Sequence, residues 1–104
     1  MTNIQLIFCT CPDQSTAETL AHLLLNEEWA ACVNILPSIL SLYRWQGQIE
    51  SAQEHLLLIK ATQQNYPNIE QAIKQHHPYG IPEIIAVSVT EGLPAYLRWI
   101  ESTT

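Results

Sequence analysis

The chain is poor in several residue types, and each shortage excludes something. Three glycines in 104 residues leave no Gly-rich cradle for a phosphate and no oxyanion loop. Four Lys+Arg set against ten Asp+Glu give a formal net charge of −6. That balance argues against a nucleic-acid partner, which needs a basic footprint. No apolar run reaches the length of about 18 residues that a membrane-crossing helix requires, so no membrane association is expected. Met1-Thr2-Asn3 carries no basic region, and Ile4–Phe8 is too short for a signal-peptide core. The chain therefore reads as cytoplasmic. Three cysteines, an odd count, do not make a disulfide framework and fit a reducing compartment. Carboxylates paired at a helical spacing are missing, and with them a common acid–base signature. A Cys11–His77 nucleophile–base pair is the one enzyme-like combination, and the chain reads as non-catalytic.

What is present is organised around Ala31 to Thr62. Two long strands, Cys32–Trp45 and Ile49–Thr62, fold back on each other around Trp45-Gln46-Gly47-Gln48, where a glycine accommodates positive φ. About 14 residues at ~3.3 Å each make an arm of roughly 45 Å, longer than one small sheet needs. Pro37 has no amide proton and fits a bulge or bend better than a straight central strand. In the second strand, Leu57 and Ile59 point one way and Leu56 and Leu58 the other. Leaving the second pair in water would forgo about 1.5–3 kcal/mol for each side chain. The chain is too short to supply another layer, so a neighbouring subunit is expected to cover that face.

The remainder reads as a single domain over 1–104. Ile4 to Cys9 is a short buried strand. Ser15-Thr16-Ala17-Glu18 has capping-box spacing, and Ala17, Leu20, Ala21 and Leu24 mark an amphipathic helix ending near Glu28. Pro67 suits the first turn of a second helix, which must stop before Pro78. Glu83–Thr90 reads as a strand with apolar residues on both faces. Leu93, Leu97 and Ile100 mark a short C-terminal helix. The order is βαββαβ plus that helix. With right-handed crossovers it predicts an α+β, ferredoxin-like fold: a four-stranded antiparallel sheet with two helices on one face.

This topology brings Cys9 and Cys11 towards His76, His77, Tyr79 and Glu83. Thiolate with imidazole suits copper or zinc better than magnesium or calcium, although the spacing matches no zinc-finger pattern. Each residue also has a plainer role. Cys9 and Cys32 read as small buried hydrophobes, His76 as a core histidine, and His77 as a cation favoured at a helix C-terminus. His22 and His55 read as surface or strand residues without an identifiable partner. A second group, Tyr43, Trp45, Glu54, Lys60, Tyr79 and Glu83, gathers around the hairpin. Lys60 in an apolar strand needs a carboxylate, and Glu54 and Glu83 are the candidates. Tyr43 and Trp45 near the hairpin tip suit interface anchors.

Four stretches together resemble the CutA family of divalent-cation tolerance proteins. They are Ala30-Ala31-Cys32-Val33-Asn34, Ser41-Leu42-Tyr43-Arg44-Trp45-Gln46-Gly47, His76-His77-Pro78-Tyr79 with Ile81-Pro82-Glu83, and Tyr96-Leu97-Arg98-Trp99. The resemblance runs over essentially the whole chain. It implies a cytoplasmic homotrimer similar in build to PII signal-transduction proteins, locked by the long hairpin, with a role in metal tolerance and no established catalysis. It places copper, with zinc or other divalent cations as alternatives and low affinity allowed, at Cys9, His76 and His77. Cys11 departs from the family pattern and is an additional candidate ligand. The alternative function is a PII-like signalling module that binds a small ligand or partner protein in clefts between subunits lined by Tyr43, Trp45, Glu54, Lys60, Tyr79 and Glu83.

Overall fold

The structure, a computed structural model, describes residues 2–104. Its elements are β1 (Ile4–Cys11), α1 (Gln14–Asn26), β2 (Cys32–Trp45), β3 (Gln48–Thr62), α2 (Tyr66–His76), β4 (Ile85–Ser88) and α3 (Pro94–Thr103). The four strands form one sheet in the order β2-β3-β1-β4, antiparallel throughout. This is the ferredoxin-like arrangement anticipated from the element order.

The hairpin forms as its turn chemistry requires. Gln46 and Gly47 both take positive φ, 49° and 79°, the pattern of a two-residue type I′ turn whose twist matches the strands it joins. The register of β2 on β3 shifts between Leu36 and Ile39. Pro37 and Ser38 together oppose the single residue His55, and Ser38 has φ 56°. Pro37 thus sits in the bulge expected of a residue with no N–H for the ladder.

Alternation along the strands sorts the sheet into two faces. One face carries Ile7, Cys9, Cys11, Leu57, Ile59 and Ala61, all packed into the main core. The covering residues are Ala17, Leu20 and Leu24 from α1 and Ile69, Ala72 and Ile73 from α2. The other face carries Leu6, Phe8, Leu36, Leu56, Leu58, Ile85 and Val87. α3 covers only one end of it, where Ile100 packs on Ile4 and Ala31. Ile85 and Val87 remain 56% and 47% exposed.

Three details differ from the sequence reading. α1 is capped by Asp13 rather than Ser15: the Asp13 carboxylate accepts from the Thr16 amide at 2.7 Å. β1 runs on to Cys11, so the chain turns two residues later than expected and Asp13 becomes the residue with extended φ/ψ that an N-cap needs. β4 is shorter than Glu83–Thr90. It pairs with β1 only from Gln5↔Ser88 to Phe8↔Ile85, because the segment entering it holds Pro82, which cannot donate to a ladder. Lys60 has no Glu54 partner. The two are six residues apart on β3, roughly 20 Å at ~3.3 Å per residue, and the Lys60 ammonium instead lies 5.7 Å from the centroid of the Tyr96 ring.

Candidate metal centre

The edge of β1 beyond Phe8 has no β4 partner, and His77 takes that place. His77 is the residue at which α2 ends. Its backbone leaves helical values for φ −87°, ψ 137°, as expected before Pro78. This change of direction turns its ring inward. The ring nitrogen Nε2 lies 2.7 Å from the Thr10 carbonyl, and the Tyr79 amide donates to Nδ1 at 3.1 Å. An amide only donates, so Nδ1 is the acceptor and Nε2 carries the proton that goes to Thr10. Tyr79 stacks obliquely on the same ring at a centroid distance of 4.7 Å. Its hydroxyl donates to Glu54 at 2.8 Å, and Glu54 is itself buried.

Cys9 and Cys11, two apart on β1, project to the helix-covered face and are fully buried. One donor atom from each of Cys9, Cys11 and His77 lies within 4.8 Å of the other two. A tetrahedral first-row ion with bonds of about 2.0–2.3 Å holds its donors about 3.3–3.8 Å apart, so a modest contraction would seat one. The thiols are electrostatically coupled. A hydrogen bond from Cys9 favours the Cys11 thiolate and lowers its pKa, against the opposing effect of burial. The same hydrogen bond, together with burial, pushes the Cys9 thiol far up.

The structure brings together three of the four residues expected at this centre. His76 stands apart. It stays on the helix, exposed, with its Nδ1 2.9 Å from the Ala72 carbonyl. Adjacent residues at a helix end diverge, and here one is helical and the other extended.

A fourth group escaped the sequence reading. His55 lies directly opposite Cys11 in the β1/β3 register and so shares its face. Its Nδ1 is buried without a hydrogen-bond partner, one of two such side-chain atoms among the described residues, the other being Gln5 Oε1. A buried polar nitrogen left unpaired costs about 1–3 kcal/mol. The signal was available only through pairing register, since Cys11 and His55 are 44 residues apart. The donor set of two sulfurs and one imidazole therefore fits a thiophilic cation, and the orphaned His55 nitrogen belongs to the residue opposite Cys11.

The hairpin group is also largely assembled. Tyr43, Trp45, Glu54, Tyr79 and Glu83 line a groove of about 790 Å³ together with Leu40–Leu42 and Gly80–Pro82. Lys60, the sixth residue expected there, lies at the other end of β3 against α3. In this groove burial, followed by the bond to Glu54, raises the Tyr79 hydroxyl pKa to about 12.

Comparison with known proteins agrees with the fold. The family profile described as CutA1 divalent ion tolerance protein matches residues 5–103. The chain is 42% identical over 100 residues to the divalent-cation tolerance protein CutA of Thermus thermophilus, covering 96% of this chain and 97% of that one. The solved structure of the Thermus thermophilus protein superposes with a TM-score of 0.95 and covers 97% of this chain and 98% of that one. CutA from Xylella fastidiosa is 46% identical with a TM-score of 0.95, covering 98% of both chains. A protein from Archaeoglobus fulgidus, described as a periplasmic divalent cation tolerance protein CutA, is 36% identical with a TM-score of 0.93, covering 96% of this chain and 97% of that one.

Proposed function

The chain belongs to the CutA1 divalent ion tolerance family, and from that premise we propose that it is a non-catalytic metal-binding protein acting in the response to copper and other thiophilic cations. The observation that carries this reading is the buried meeting of Cys9, Cys11 and His77, donor atoms within 4.8 Å. His76, adjacent in sequence, keeps Nε2 free while its Nδ1 lies on the Ala72 carbonyl, but it is exposed and is not part of the Cys9–Cys11–His77 group. Bound copper or zinc would gather the thiolates and withdraw their protons, so binding should release protons and weaken at low pH. Copper is favoured over other divalent ions at an N/S site by the Irving–Williams order. The binding would be modest in strength, because His77 must give up the Tyr79 amide or the Thr10 carbonyl to ligate. The three free cysteines suit a reducing compartment, and a cytoplasmic location belongs to this proposal, although the Archaeoglobus relative is described as periplasmic.

The test is an anaerobic Cu(I) titration against a competing chelator, on the wild type and on Cys9→Ala/Cys11→Ala, with folding checked by circular dichroism. Modest binding by the wild type that is lost in the variant is the expected result. Equal, weak binding in both would assign those side chains to the core alone.

The quaternary proposal is a homotrimer in which the open sheet face and the hairpin arm are buried between copies. It rests on the partly covered Leu56 and Leu58 and on Leu40, Leu42 and Ile49, all more than half exposed on the arm. Contiguous exposed apolar residues of this kind mark protein–protein interfaces. Light scattering decides it, since a species of 11.8 kDa at micromolar concentration would exclude assembly.

A second reading, a PII-like signalling module, is favoured by the groove at Tyr43, Trp45 and Tyr79. Glu54 and Glu83 line it and no Lys or Arg does. That charge suits a cationic or neutral ligand rather than an anion. Thermal shifts measured across small ligands of each charge would test it, and no shift with any class would count against it.

A further inference from the structure

The metal reading leaves one buried histidine nitrogen near the centre unexplained. His55 stands beside Cys11 across the β1/β3 pair. Its Nδ1 is buried with no hydrogen-bond partner. On its other side, β2 does not offer a regular ladder residue but the Pro37–Ser38 bulge. Bulges change the direction in which neighbouring side chains point and recur beside functional sites. The His55 nitrogens are not part of the 4.8 Å group formed by Cys9, Cys11 and His77, so the ring would swing towards that group on binding. Cys9 and Cys11, fully buried, and His77, in place within 4.8 Å of both, make three donors. A structural zinc-type site takes four, most often as thiolates and imidazoles.

We propose that His55 is the fourth ligand, so that Cys9, Cys11, His55 and His77 close around one tetrahedral cation as a two-sulfur, two-nitrogen set. The proposal rests on the metal-binding reading above and extends it. The centre becomes a closed site of the kind that suits Zn(II) or Cu(I), rather than an open three-donor site with a position for water or substrate. The ligand set then comes from both strands of the central β1/β3 pair and from the end of α2. Binding would tie the α2 terminus to the middle of the sheet. His55 is deprotonated at Nδ1 when it binds, and any proton it carries there is released to solvent with those of the thiols.

The test uses Co(II) and Zn(II) on the full chain under reducing conditions. Co(II) bound in a tetrahedral two-sulfur, two-nitrogen set gives intense visible bands and a thiolate charge-transfer band, while an open site that recruits water gives weaker bands. Wild type is compared with His55→Leu, which keeps an apolar side chain of similar bulk on the strand, and with His22→Ala on exposed α1. Zinc affinity should fall at least about tenfold in His55→Leu, with loss of intensity in the cobalt bands, and should be unchanged in His22→Ala. In the wild type, which needs no substitution, the ring-nitrogen resonance of His55 Nδ1 should move on Zn(II) binding together with that of His77. Full affinity and an unaltered cobalt spectrum in His55→Leu, or an unmoved His55 resonance in zinc-loaded wild type, would overturn the fourth ligand and leave a three-donor site. Failure of wild type to bind Co(II), Zn(II) or Cu(I) would instead overturn the metal reading itself, and this inference with it.

Discussion

Leu57 and Leu58 are adjacent on β3 and meet opposite fates. Leu57 is fully buried beneath the helices, whereas Leu58 is only partly covered. The same contrast runs along the sheet, with Ile59 against Lys60 on β3 and Ile7 against Phe8 on β1. One face is completed by the chain's own helices, and it contains the thiol–imidazole cluster. The other is completed only at its end, by α3, and carries an apolar surface continuous with the hairpin arm. A soluble sheet with one wet face would alternate apolar and polar residues. Here both sets are apolar, so the difference between the faces lies in what covers them and not in their composition.

The largest expected effect breaks the comparison on the open side. Val87→Asp places a charge on the uncovered face and should reduce the assembled mass by light scattering towards that of the 11.8 kDa subunit. An unchanged mass would mean that the face is not an interface. On the covered side, Leu57→Ala should destabilise the protein by about 2–5 kcal/mol in denaturant unfolding, through a cavity at the centre of the helix-packed core.

Smaller effects sharpen the contrast at the boundary between the faces. Tyr79 spans it, stacking on His77 and donating to the buried Glu54. Tyr79→Phe leaves that carboxylate without its donor and should cost about 1–3 kcal/mol. The pH dependence has a definite sign. The Tyr79 hydroxyl pKa is raised from 10.0 to about 12 in the folded protein, so the folded state holds the proton more tightly than the unfolded chain. The stabilisation is complete below pH 10 and is lost as the pH rises from about 10 towards about 12. Alkaline unfolding should therefore differ between wild type and Tyr79→Phe within that window. An identical alkaline profile would show that burial and the bond to Glu54 do not together hold the hydroxyl protonated in solution.

The smallest effect concerns Asp13, exposed at the start of α1. Hydrogen bonding to Thr16 holds its carboxyl below the ordinary value of 3.8. Its contribution is present above that pH and is lost as the pH falls through the folded-state value. Asp13→Ala should lower Tm slightly at neutral pH, and the difference from wild type should vanish in strong acid. A difference that persists there would assign the effect to packing instead of capping.

How far the site was legible in the sequence follows from the distance over which each residue's environment is set. The helices over Ala17–Leu24 and Ile69–Ile73 were legible because their periodicity is local. The hairpin was legible from one glycine and two apolar runs, and the bulge from Pro37. The meeting of Cys9 with His77 was legible through the expected topology, while their role as ligands is what the family resemblance implies. The separation of His76 from His77 was not, because it depends on the turn from helical to extended backbone at a single residue. The approach of Lys60 to Tyr96 was not legible either, since α3 reaches it only in the folded chain. His55 had no signal at all until β1 and β3 were aligned.

By itself, the sequence determined the element order, the alternation that makes both faces of the sheet apolar, and the donor types available to a cation. These follow from φ/ψ preferences and side-chain chemistry within a few residues. Only the tertiary structure decided which donors meet. Pairing Cys11 with His55 and lodging His77 against Thr10 require contacts across 44 and 67 residues, whose loop-closure cost is met by the packing of the whole core. No local pattern encodes that register, because a slip of one residue would send every side chain of β3 to the opposite face.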